Sequence, residues 1–101
     1  MRDPHTNLGK ALLAKLGQGG VEIRSSSSRA WASVTFSGAR HIFTLTLTGS
    51  EATKRAQEFA GSITWEEFEV ARHLVADIIV THADYGADFA TLTVEALTVK
   101  A

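Results

Sequence analysis

The chain has 101 residues, 45% of them hydrophobic and 21% charged, a composition typical of one globular domain with a single modest core. Its net charge of -1 argues against a protein whose main task is to hold a nucleic-acid backbone, since such proteins carry a clear positive excess. There is no cysteine, which excludes disulfides, thiol chemistry and thiolate metal sites. The sequence has no apolar run as long as a membrane span and none at its start that resembles a signal peptide, so we expect a soluble cytoplasmic protein.

A first helix is predicted over residues 6–17. Its apolar face consists of leucines that recur every four residues: Leu8, Leu12 and Leu16. Gly17 and the glycines after it end the pattern, because glycine favours the left-handed backbone found just past a helix. Residues 21–23 could form a short first strand. The serines at 25–28 have little to bury and predict a mobile loop.

The strongest pattern is a β-hairpin over residues 29–48, in which apolar and polar residues alternate on both sides of a turn at Gly38–Ala39. Three pairs would share an apolar face: Val34 with Phe43, Ala32 with Leu45, and Ala30 with Leu47. The opposite face would carry Trp31 and Ile42. This segregation is a structural signal and specifies no chemistry.

A second helix is predicted over residues 51–61. Ser50 can cap its start, and Glu51 lies in the first turn, where the helix dipole favours a negative charge. Gly61 is a suitable stop. The apolar residues that share one helical face are Ala52, Ala56, Phe59, Ala60 and Ile63.

Residues 64–83 allow two interpretations. Thr64–Glu67 matches a capping box and begins a helical spacing of apolar residues, which favours a third helix. The crowded β-branched residues that follow favour a strand instead. A turn at Asp84–Gly86 gives that strand a partner and pairs apolar residues on one face: Val80 with Ala90, Ile78 with Leu92, Ala76 with Val94, and Leu74 with Ala96. We therefore predict a second hairpin over residues 73–99, with residues 64–72 either helical or extended.

The order of these elements predicts a single α+β domain over residues 1–101. Two hairpins and the short segment at 21–23 supply a mainly antiparallel sheet of four or five strands. The two helices would pack on one face of that sheet, which gives a two-layer sandwich.

The four histidines are the first candidates for chemistry. His41 lies near the turn of the first hairpin, and His82 would lie opposite Asp88 near the turn of the second. His73 and Asp77 could share a metal on a helix, but on a strand they lie about 13 Å apart. These residues are therefore weak ligand or acid–base candidates, and we predict neither a metal nor a cofactor. His5, near the start of the chain, is expected to be solvated.

The second face of the predicted sheet is the most suggestive functional feature. It mixes threonines with large apolar residues, and apolar surface of that extent marks an interface or a ligand groove. The first helix could instead cover this face within the same chain. The predicted interface residues are Trp31, Ile42, Val75, Ile79, Phe89 and Leu97.

These observations predict an interaction module whose second sheet face, or an edge strand, mediates homodimerisation or the binding of a protein partner, with no membrane association. The alternative is a small enzyme or ligand-binding protein that uses a histidine in a cleft between sheet and helices. A third arrangement, in which arginines and Trp31 clamp a single nucleic-acid strand, is opposed by the net charge. The arginines concerned are Arg24, Arg29 and Arg40.

Overall fold

The computed structural model describes residues 3–17, 19–68, 70 and 72–101. Its elements follow in the order α1 (Pro4–Leu16), β1 (Val21–Ala32), β2 (Ser37–Thr48), α2 (Ala52–Ser62), a 3₁₀ turn (Ile63–Trp65), β3 (His73–Tyr85) and β4 (Phe89–Lys100). Within these residues the strands form one antiparallel sheet of four strands in the order β1-β2-β4-β3. The fold is therefore α+β, as predicted.

Helix α1 begins earlier than predicted because Asp3 caps it. The Asp3 carboxylate accepts a hydrogen bond of 2.7 Å from the Thr6 backbone N–H, which would otherwise lack a partner in the first turn. Pro4 fits this turn because no helical partner is required of its nitrogen. Gly17 ends the helix at φ 87°, a left-handed conformation that favours glycine.

The core lies between the helices and one face of the sheet. Alternate residues of the central strands β2 and β4 point into it, and both helices contribute their apolar faces. Leu8, Leu12 and Leu16 of α1 and Phe59 of α2 are buried in the same cluster as Phe43. The other large buried members are Leu45, Leu47, Ile63, Val70, Ile78, Leu92 and Val94.

The first hairpin is longer than predicted, and the predicted register is wrong. Strand β1 starts at Val21 and includes the serine run, so that Ser26 pairs with Phe43, the predicted partner of Val34. The turn falls at residues 33–36, where the Ser33 N–H donates to the Phe36 carbonyl at 2.7 Å and Val34 is fully exposed. Serines suit an edge strand because its outer residues need no burial. The longer backbone pairing of β1 with β2 therefore stabilises this register more than the pairing of apolar side chains that the sequence pattern predicted.

The second hairpin confirms the strand at residues 73–83, but its predicted register is also wrong. The turn spans residues 86–88 instead of the predicted 84–86, and Val80 pairs with Val94 instead of Ala90. Two β-bulges, at Ala76 and Thr81, each insert an extra residue into β3. The later turn accounts for the wrong partners, which begin right beside it. The bulge at Ala76 also moves Leu74 and Val75 to the faces opposite those predicted, because a strict period of two cannot follow a bulged strand.

The segment between α2 and β3 is partly helical and partly extended. Ile63–Trp65 forms the 3₁₀ turn, and Glu66 then adopts an extended conformation at φ -80° and ψ 144°. An exposed ion pair of 2.7 Å joins Lys15 to Glu66 and connects this segment to α1. Residues 69 and 71 lie outside the described part of the chain.

Candidate functional site

The strand pairing aligns residues in rows across the face of the sheet that points away from the core, which we call the open face. Residues paired directly across neighbouring strands share a face, so each row can be read from one edge of the sheet to the other. In the order β1, β2, β4, β3, the rows are Trp31, Gly38, Val99, Leu74; Arg29, Arg40, Leu97, Asp77; Ser27, Ile42, Glu95, Ile79; Ser25, Thr44, Thr93, His82; and Glu22, Thr46, Thr91, Asp84.

The open face combines exposed apolar side chains with polar ones. Leu74 is 63% exposed, Ile42 42% and Ile79 40%. Phe89, 48% exposed, pairs with Thr48 beyond the last row. The α1 leucines lie in the core on the other side of the sheet, so α1 does not cover this face. The open face therefore keeps exposed apolar surface that neither of the described helices covers.

Five of the six predicted interface residues lie on the open face, and the sixth does not. Val75 pairs with the buried Thr98 and packs against the core, because the bulge at Ala76 shifts the alternation of β3 by one residue. The placement of Val75 on the second face is therefore wrong. Leu74, which sequence reasoning placed in the core, takes a position on the open face beside Val99.

Charge is divided across the open face. Arg29 and Arg40 are directly opposite each other on β1 and β2, an arrangement of like charges that destabilises a sheet. Asp77 and Glu95 lie on β3 and β4, on the other half of the face. Among the described residues these four side chains make no ion pair with one another. In these two rows the β1–β2 half of the face is therefore basic and the β4–β3 half acidic, whereas the last row carries an acidic residue at each edge, Glu22 on β1 and Asp84 on β3.

Trp31 lies beside Gly38 at the end of the open face nearest the first turn. It is half-buried, and its indole N–H is shielded without a hydrogen-bond partner in the described part of the protein. A Cβ atom at Gly38 would collide with the backbone carbonyl oxygen of Thr98, so only glycine fits there. Because Gly38 has no side chain, the Trp31 ring lies directly beside the backbone of β2.

Of the three histidine candidates, His82 lies apart, whereas His73 is close enough to His41 for its charge to lower the pKa of His41. His41 is buried, with 1% of its surface exposed, whereas His82 is exposed on the open face opposite Thr93. The prediction that His82 lies opposite Asp88 is therefore wrong; Asp88 is in the β3–β4 turn, where its carbonyl accepts from Gly49 N–H at 2.9 Å. His73 begins β3 and is half-buried. Within the described ranges, no group of three or more acidic, histidine or cysteine residues could hold a metal ion.

His5, which sequence reasoning placed in solvent, is the partner of His41. The Nδ1 atoms of the two rings are 3.0 Å apart, and His5 Nε2 lies 3.0 Å from Ser26 Oγ. His41 Nε2 lies 2.9 Å from Thr98 Oγ1. The His5 ring also stacks on Phe43 with 4.6 Å between centroids. No sequence pattern identifies this contact, because it joins the start of α1 to a strand 36 positions later.

These side chains form a series of hydrogen bonds that ends at the Ala39 carbonyl. That carbonyl determines which group donates and which accepts in each bond of the series. The Ala39 carbonyl can only accept, so Thr98 donates to it at 3.3 Å and accepts from His41 Nε2–H. His41 Nδ1 then accepts from His5 Nδ1–H, and His5 Nε2 accepts from the Ser26 hydroxyl. This assignment requires His41 to be neutral. The pKa of His41 is lowered to about 4, mainly by burial and also by the neighbouring His5 and His73, while Asp3 opposes them.

Comparison with known proteins identifies a fold and no family. Neither the protein-family models nor the curated proteins contain a match. A chain from a solved structure of the virion of a native gene transfer agent (GTA) particle is similar, with a TM-score of 0.50 and 15% sequence identity over 80% of this chain and 68% of that one. At this identity the likeness shows the fold alone. None of the described helices is long and apolar enough to cross a membrane.

Proposed function

We propose that this protein is an interaction subunit that associates with copies of itself through the open face of its sheet. The observation that carries the proposal is the open face, where exposed apolar side chains surround charges without ion-pair partners among the described residues. A surface of this kind is typical of an interface. The chain of similar fold comes from a virion particle, which is consistent with a role in protein assembly.

The size of the open face supports association with a second copy. Four strands at about 4.8 Å spacing and a length of about ten residues give roughly 600 Å² per copy. Two copies packed face to face would bury about 1,200 Å², the lower end of the range for specific interfaces. The elongated shape, 47 × 25 × 23 Å, presents this face along the long strands.

Replacing Trp31 with alanine should weaken self-association at least about tenfold while lowering the free energy of unfolding by less than truncation of the fully buried Phe43 does. The reason is that an aromatic ring on an uncovered face contributes more to an interface than to the core of one chain. Sedimentation velocity across a concentration series measures the association, and thermal or urea unfolding measures the stability.

Trp65→Ala is the matched control, because Trp65 is 86% exposed on the 3₁₀ turn. Association of this variant should equal that of the wild-type protein. A wild-type chain that keeps the 10.9 kDa monomer mass at high concentration would contradict the proposed function, as would equal effects of the two tryptophan substitutions.

One observation favours the enzymatic alternative. The Ser26 hydroxyl donates to His5, and His5 is oriented by His41, an order of groups that resembles a nucleophile with its base. Labelling of Ser26 by a fluorophosphonate probe, lost in the His5→Ala variant, would support an enzyme. An unlabelled protein would leave these residues as a structural hydrogen-bond chain between α1 and the sheet.

A further inference from the structure

We propose that two copies pack face to face about a two-fold axis parallel to the strands, placed between β2 and β4. The basic half of each open face then lies over the acidic half of the other, with Arg29 and Arg40 opposite Asp77 and Glu95 of the second copy. This inference rests on the proposed function and specifies its partner and arrangement.

The row that contains both arginines determines the charge contacts. In this row Arg29, Arg40, Leu97 and Asp77 follow one another from β1 to β3. This axis exchanges the two edges of the sheet and sets each row against the same row of the second copy. Strand β1 therefore lies over the second copy's β3, and β2 lies over its β4. Arg29 therefore meets Asp77 of the second copy, and Arg40 comes beside its Glu95, one row away. Both contacts occur twice because the interface is isologous.

The apolar residues agree with the same axis. The row at the end of the face holds Trp31, Gly38, Val99 and Leu74, so Trp31 lies over Leu74 of the second copy. An in-plane axis perpendicular to the strands would reverse the rows. It would place Trp31 over Glu22 and Leu74 over Asp84, which buries apolar surface against charge. The axis parallel to the strands avoids both contacts and keeps the two arginines near the acidic residues of the other copy; in the remaining rows it places Ile42 over Glu95 and Glu22 over Asp84 of the second copy.

The paired arginines supply an independent argument. Like charges directly opposite each other in a sheet are unfavourable, and an isolated copy offers Arg29 and Arg40 no compensating contact among the described residues. The acidic half of a second copy does. An unfavourable pairing of like charges is expected at residues that bind a partner, because function is where a sequence departs from the rules that favour stability.

The sheet edges are less suited to the contact than the open face. Strand β3 carries its two bulges along one edge, and bulges prevent regular pairing with another strand. Strand β1 forms the other edge, and edge pairing would leave both halves of the open face uncovered. Face-to-face packing instead covers the apolar residues and pairs the charges in one contact.

Two charge-reversed chains test the arrangement. The first carries Arg29→Glu and Arg40→Glu, so all four charged positions are acidic; the second carries Asp77→Arg and Glu95→Arg, so all four are basic. Each chain alone should lose self-association at least tenfold relative to the wild-type protein. An equimolar mixture should form a heterodimer at least as tightly as the wild-type homodimer, because every contact among these four positions is again between opposite charges. Sedimentation velocity with one labelled chain measures both, and circular dichroism checks folding.

A second measurement uses the unmodified chain, so the proposal stays testable if a variant fails to fold. The wild-type homodimer should weaken severalfold between 50 and 500 mM salt, because screening reduces the charge contacts. Wild-type dimers that are indifferent to salt and a mixture that does not associate would overturn the arrangement and leave the proposed function intact. A wild-type monomer at all concentrations would overturn both, as would a monomer that binds a single-stranded oligonucleotide through Arg29 and Arg40.

Discussion

Replacing Phe43 with alanine should lower the free energy of unfolding by about 3–5 kcal/mol. Phe43 is 1% exposed and lies in the cluster that joins β2 to α1. Its ring stacks on His5, and a Cβ placed at Gly9 would lie 3.2 Å from it, which shows how closely α1 approaches. Truncation removes the aromatic surface and leaves a cavity that the long, paired strand cannot close.

Urea unfolding followed by far-ultraviolet circular dichroism measures this effect. Phe36→Ala is the matched control, because Phe36 is 60% exposed in the turn of the first hairpin and should change stability by less than about 0.5 kcal/mol. A small domain has a total stability of about 5–15 kcal/mol, so the predicted loss for Phe43 is a large share. A loss below about 1 kcal/mol would contradict the assignment of Phe43 to the core.

Stability should fall as the pH is lowered from about 6.5 to about 4, and His41 should account for roughly 3 kcal/mol of that fall. Burial holds the pKa of His41 at about 4 in the folded protein, below its ordinary value of 6.5. Between these values the unfolded chain binds a proton that the folded chain excludes. Protonation therefore favours unfolding. The contribution of His41 to the free energy of unfolding is present in full above pH 6.5 and is lost as the pH falls from 6.5 to about 4.

The His41→Gln variant separates this effect from other titrations. Its absolute stability will differ, but its stability should depend less on pH between 4 and 6.5 than that of the wild-type protein. His82→Gln is the control for the substitution itself, because it removes an exposed imidazole and leaves the buried His41 in place. Hydrogen bonds from Thr6 lower the pKa of Asp3, so that residue contributes only at more acidic pH, below its ordinary value of 3.8. An unchanged slope in His41→Gln would contradict the assignment of a neutral, buried His41.

The candidate site was only partly predictable because its residues come from all four strands. The alternation in β2 was enough to place Ile42 on the second face and Phe43 in the core, as the structure has them. The row that joins Arg29 and Arg40 to Asp77 depends on the register of two hairpins. Register is determined by turn geometry and by bulges, neither of which leaves a regular pattern in one strand.

The sequence by itself determined the class of the fold, both helices and the strand character of β2, β3 and β4, because periodicity and capping are local properties. Only the tertiary structure decided that the serine run is a strand, since backbone pairing with β2 stabilises residues whose side chains bury nothing. It also decided the contact of His5 with His41 and the division of charge on the open face. Both depend on residues far apart in the chain, whose proximity arises from packing and strand register.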